Sequence, residues 1–168
     1  MNAVMNNELK LRIVTLLYTA SVAIRTTLKT QWFRIYMDPE LKRAAGACSG
    51  TFGNHGFGCE VRIAPNRDLW VVARVLLHEI AHALKRFDDR ILGEKVAEYV
   101  SCYILHGKDW GGWRASMSSW GNEYFGQDKR QSFIHTATWE EARVEGDKLM
   151  TEYKTLFEKL EECILEQL

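Results

Sequence analysis

The chain has 168 residues, 46% hydrophobic and 26% charged, and its 22 Lys+Arg balance its 22 Asp+Glu. That composition suits one soluble domain with a sizeable core. Zero net charge gives no support to strong non-specific nucleic-acid binding by the whole surface, although it leaves room for a local basic patch. The first residues lack a basic segment followed by an apolar one, and the longest apolar stretch, residues 9–28, is broken by Lys10, Arg12 and Arg25. The expectation is therefore a cytoplasmic protein with no secretory signal, no membrane span and no membrane partner. Cys48, Cys59, Cys102 and Cys163 are scattered without a C-x-x-C pair, which fits reduced thiols.

Leu9, Ile13, Leu16, Leu17, Ala20, Ile24 and Leu28 recur at helical spacing and predict an amphipathic helix over about 6–29. Residues 31–37, rich in aromatic and β-branched side chains and stopped by Asp38-Pro39, predict a strand. A short helical turn is expected over 40–45. The glycine-rich segment 46–58 lacks the G-x-x-x-x-G-K-[ST] pattern and leads into a strand, which excludes a phosphate-cradling loop. It predicts a hairpin instead: a strand at about 47–52, a turn at Asn54-His55-Gly56 and a strand at about 57–64. Next comes a helix over about 68–86, capped by Asn66 or Asp68, and a polar link over 87–93. A second helix spans about 93–105. A tryptophan-rich helix spans about 109–120, with Trp110, Trp113 and Trp120, and a loop runs over 121–132. Those tryptophans can stack on single-stranded bases, but their spacing suits a core stripe better. Thr138-Trp139-Glu140-Glu141 is a capping box that opens one final helix to about 165. The fold class expected is α+β, a single domain over 1–168. Its core lies at about 31–121, with a small antiparallel or mixed sheet on the second helix and with N- and C-terminal helices.

The chemistry lies in Val75-Leu76-Leu77-His78-Glu79-Ile80-Ala81-His82-Ala83-Leu84. In this H-E-x-x-H run, His78 and His82 are four residues apart on one helix face and can chelate one zinc ion. Glu79 is placed to accept a proton from water at the metal. The helix is apolar nearly all round, hence buried, and a buried helix does not carry two His and a Glu without partners. Cys48, His55 and Cys59 offer a second metal set, but their spacing matches no common zinc pattern, and ordinary loop and strand roles explain them.

Two residues compete for the third ligand position. His106-Gly107-Lys108-Asp109-Trp110, downstream of the motif and of a preceding strand, resembles the H-G-x-x-[FW] element of SprT-like (Spartan-type) zinc metallopeptidases. That resemblance covers about residues 58–121. It implies a zincin fold, zinc held by His78, His82 and His106, and Glu79 as general base. Gly93-Glu94-Lys95-Val96-Ala97-Glu98 is similar to the gluzincin pattern and to the peptidase domain of ArdC-like antirestriction proteins. That likeness implies Glu94 as the ligand, with Glu98 orienting a motif histidine. The sequence reading prefers His106 and keeps Glu94 as the alternative.

The function expected is hydrolysis of peptide bonds by a zinc metallopeptidase acting on a protein or peptide, with DNA-associated proteins one substrate class. The alternatives are an antirestriction-type or regulatory zincin that binds a protein or nucleic-acid partner, and a zinc-stabilised module without turnover. Tyr99, Tyr103, Tyr124 and Arg62 are of suitable type to stabilise an oxyanion. The strand over 59–64 is expected to offer a sheet edge to substrate.

Overall fold

The computed structural model describes residues 7–53, 58–65, 67–105 and 138–168. In chain order these form α1 (Asn7–Leu28), β1 (Phe33–Met37), β2 (Gly46–Ser49), β3 (Cys59–Ile63), α2 (Leu69–Leu84), α3 (Arg90–Leu105), α4 (Trp139–Glu152) and α5 (Lys154–Gln167). The described residues are thus α+β, with five helices and one small mixed sheet. His106, the tryptophan-rich segment, Tyr124 and the turn at Asn54-His55-Gly56 lie outside the described residues.

The sheet order is β1-β3-β2. β1 runs parallel to β3 with Ile35 opposite Val61, and β2 runs antiparallel to it with Cys48 opposite Val61. Alternation sorts the two faces of β3. Cys59, Val61 and Ile63 are buried, while Glu60 and Arg62 point away and pair with Arg34 and Asp38. The strand over 59–64, expected at an edge, is therefore the central strand. Its buried residues suit the middle of the sheet, and the edges fall to β1 and β2.

The helix α2 packs on β2 and β3 and lies beside α3, which α4 covers in turn. Asp68 caps α2, its side chain accepting from the Val71 N–H at 2.9 Å. The helix α3 starts three residues earlier than the sequence indicates, because the Asp89 carboxylate accepts from the N–H groups of Ile91 and Leu92. Residues 40–45 are not helical. The Asp38 carboxylate accepts the Glu40 N–H at 2.9 Å, which closes a turn at Pro39-Glu40 and sends the chain on towards β2.

The final helix is two helices. Thr138 and Glu141 form the expected capping box, but the chain breaks at Tyr153, with φ −110° and ψ 35°. The break turns each half onto a different neighbour. α4 packs on α3, and α5 packs on α1 through a stripe that includes Leu156, Leu160 and Ile164. One straight rod would miss one of the two. Gly146 allows the α4–α3 approach, since a Cβ there would sit 2.4 Å from Cδ1 of Tyr99.

By length and composition α1 is apolar enough to cross a membrane. In this fold Ile13, Leu16, Leu17, Ala20, Ala23 and Ile24 are buried in the core.

Candidate metal centre

The motif histidines stand on α2 with one face turned to α3. Nε2 of His78 and Nε2 of His82 are 3.1 Å apart. Across from them on α3, Glu94 places Oε2 3.2 Å from His78 Nε2 and Oε1 3.1 Å from His82 Nε2. Among the described residues, His78, His82 and Glu94 form a cluster able to hold a metal ion, with the ligand atoms all within 4.8 Å of one another. Around a tetrahedral ion with bonds of about 2.0–2.1 Å, ligand atoms stand about 3.3 Å apart. The observed triangle has nearly that size, so the residues present fit such an ion. Glu94, the alternative third ligand, thus stands with the two motif histidines, and His106, the preferred one, lies outside the described residues.

Behind the triangle is a second layer. Nδ1 of His78 lies 2.6 Å from Oε1 of Glu98, and Oε2 of Glu98 accepts from Arg74 at 2.9 Å. The Glu98 oxygen sits off the line of the ring N–H, so the contact is a short electrostatic one rather than a straight hydrogen bond. A carboxylate at this distance favours the proton on Nδ1. The neutral ring then turns the bare lone pair of Nε2 towards Glu94. Two electron-rich atoms at this separation call for a positive charge between them, either a proton or a metal ion.

The acid–base balance follows. Burial works against a charged His78, but the carboxylates of Glu94 and Glu98 outweigh it and raise its pKa to about 10. Burial pushes Glu94 and Glu98 upward, and their cationic neighbours bring both below the usual carboxylate range. Glu79 is the exception. Burial raises its pKa, and the nearby histidines offset this only in part.

Glu79 lies under β2. A Cβ at position 46 would come within 2.4 Å of Cγ1 of Val75 and 3.0 Å of Cγ of Glu79, so only glycine lets the strand pass this close. The Ala64 N–H donates to the Ala45 carbonyl at 2.9 Å. By antiparallel alternation, Gly46 and Cys48 then turn their backbone groups to the open edge. Arg86 takes the Cys48 carbonyl at 2.9 Å, leaving the stretch at Gly46 as the edge beside Glu79.

Two hollows flank Glu79. One, of about 360 Å³, is lined by His82, Glu94, Cys48 and Arg86 among others; the other, of about 540 Å³, by His78, Glu98, Trp70 and Arg74 among others.

Other sequence candidates have structural partners. Tyr99 is buried and donates to Asp147 Oδ1 at 2.6 Å, and Arg62 pairs with Asp38 at 3.1 Å. The ring of Tyr103 packs against that of Tyr99. Cys48 and Cys59 approach each other, and their hydrogen bond, with burial, raises the Cys48 thiol pKa. Neither belongs to a metal-binding cluster among the described residues, and His55 lies outside them. Two contributors were missed from sequence, Arg74 and Gly46. For Arg74 there was a signal: an arginine inside V-V-A-R-V-L-L must be buried with a partner.

Comparison with protein-family models, with curated proteins and with solved structures gave no match.

Proposed function

We propose that the protein is a zinc-dependent metallopeptidase with a zincin-like fold and a gluzincin-type ligand set: His78, His82 and Glu94 at the metal, Glu79 as general base. One observation carries this reading. Among the described residues, a buried glutamate, a three-ligand triangle and an antiparallel strand at the sheet edge meet at one place. Structural zinc sites close with four protein ligands, whereas three ligands keep a position for chemistry, and the described residues supply three. The SprT-like alternative rests on the sequence around His106, while Glu94 is supported by geometry as well.

When bound, zinc supplies Lewis-acid polarisation and makes water more acidic. The chain's own residues do the rest. The edge at Gly46 pairs with an extended peptide and lays its backbone along the cleft. Glu79 takes the proton of the attacking water onto its carboxylate, then delivers it to the nitrogen of the leaving amine. Its raised pKa suits both halves of that exchange, because the protonated form persists nearer neutral pH. Glu98 keeps the His78 proton on Nδ1, and Arg74 keeps Glu98 charged and fixed.

The test is cleavage of an unfolded, fluorescence-quenched protein by the zinc-loaded chain. Chelation should abolish it and added zinc restore it. Glu79→Gln should keep one zinc per chain, measured by elemental analysis, and lose about 10³-fold or more in kcat. Equal activity in that variant would end the enzyme reading.

A further inference from the structure

The larger hollow beside the metal centre has a charge pattern that the chemistry above does not use. Its buried lining includes His78, Glu79 and the Arg74–Glu98 pair, whose charges cancel. Its outer part carries two more guanidiniums, Arg43 on the segment leading into β2 and Arg67 just before α2. Both are exposed, and neither forms an ion pair among the described residues. The same hollow has an apolar lining of Val71, Val75 and the half-open indole of Trp70, over which the Arg74 guanidinium sits 5.9 Å from the ring centre. The cavity, at about 540 Å³, has room for one long side chain with its flanking backbone.

Such a hollow offers an apolar wall for a side-chain stem and a positive mouth for its end. We propose that it is the subsite that selects a substrate with an acidic side chain, Asp or Glu, next to the scissile bond; this rests on the peptidase reading. A carboxylate fits better than a phosphate. Glu79 and Glu98 line the same hollow, so Arg43 and Arg67, without an ion pair among the described residues, leave a modest positive excess that suits one negative charge. A basic side chain is disfavoured at the same place, because it would meet Arg43 and Arg67.

The experiment uses the zinc-loaded full chain and a quenched-fluorescence peptide library with Glu, Gln or Lys at each position around the cleavage point. At one position Glu should exceed Gln by about tenfold in kcat/KM, with Lys below both. That ratio should shrink with added salt. In Arg43→Ala/Arg67→Ala it should fall below about twofold, and in Arg43→Glu/Arg67→Glu it should turn over in favour of Lys. Equal cleavage of the Glu and Gln peptides, or a preference that survives the double alanine change, overturns the subsite. If no peptide is cut, the peptidase reading fails on its own. The subsite is then judged by fluorescence anisotropy with labelled Glu and Gln peptides on the zinc-loaded Glu79→Gln chain. Tighter binding of the Glu peptide that is lost in the Arg43→Ala/Arg67→Ala background upholds it, and equal binding overturns it.

Discussion

Glu98 stands 2.6 Å from Nδ1 of His78 while its other oxygen accepts from Arg74 at 2.9 Å. Both residues of the first pair are buried, His78 at 6% exposure and Glu98 at 4%. Water therefore screens the contact poorly, and the proton on the far side of the imidazole is held by a fixed charge.

Glu98→Gln keeps the shape and removes that charge. Zinc affinity should fall by about 10–100-fold, read by competition with a chromophoric chelator. An unchanged affinity would mean that the Nδ1 contact has no influence on the ligand.

Glu94 and His106 make opposite demands on zinc content. Glu94→Ala should lose stoichiometric zinc after desalting, while His106→Ala should keep one zinc per chain, both by elemental analysis. The reverse pattern would return the protein to the SprT-like ligand set.

The pH dependence has a definite sign. In the metal-free chain the His78 pKa is raised from 6.5 to about 10, so the ring is protonated at pH 7. A metal needs it neutral. Zinc uptake at pH 7 should therefore release about one proton from this group, seen by calorimetry in buffers of different ionisation enthalpy. A raised pKa also means that His78 contributes stability in full below pH 6.5 and loses it as pH climbs to about 10. Glu94 and Glu98 are held below 4.5, and their contribution is present above that value and lost on acidification. The metal-free Tm should thus peak between these limits and decline towards pH 10. Zinc-loaded protein, whose His78 ring is already neutral with its one proton on Nδ1, should not show the alkaline decline.

Gly46→Ala drives a methyl group to 2.4 Å from Val75 Cγ1. The expected cost is about 1–3 kcal/mol in chemical denaturation, with a drop in kcat as Glu79 is displaced. Adding Val75→Ala should restore most of the activity. Failure of that rescue would show that the close strand–helix approach does not set the position of Glu79.

The helices were legible because their signals are local. The i, i+4 spacing of His78 and His82, the Asp68 cap and the Thr138 capping box each depend on residues within one turn. The same spacing marked Glu94 and Glu98, and Glu98 as the acid behind a histidine was already an option from sequence. Bringing Glu94 beside the motif histidines was not a local matter. It depends on how α3 lies across α2, which is fixed by packing between residues far apart in the chain. Strand order hid for the same reason: alternation in residues 59–63 says which face is buried but not which neighbours flank it. The break at Tyr153 was invisible because the stripe of α4 and α5 continues through it, and only the two partners, α3 and α1, reveal why the helix must turn.

Arg74 also sets a valence. Glu79, Glu94 and Glu98 bring three negative charges to one largely buried cluster, and Arg74, paired with Glu98 on the side away from the ligands, cancels one of them. With both histidines neutral, a doubly charged ion offsets the remaining carboxylates in a place where excess charge is costly. A guanidinium that is not itself a metal ligand would thus govern which class of ion the centre accepts, and Arg74→Met would tilt it from divalent towards trivalent cations.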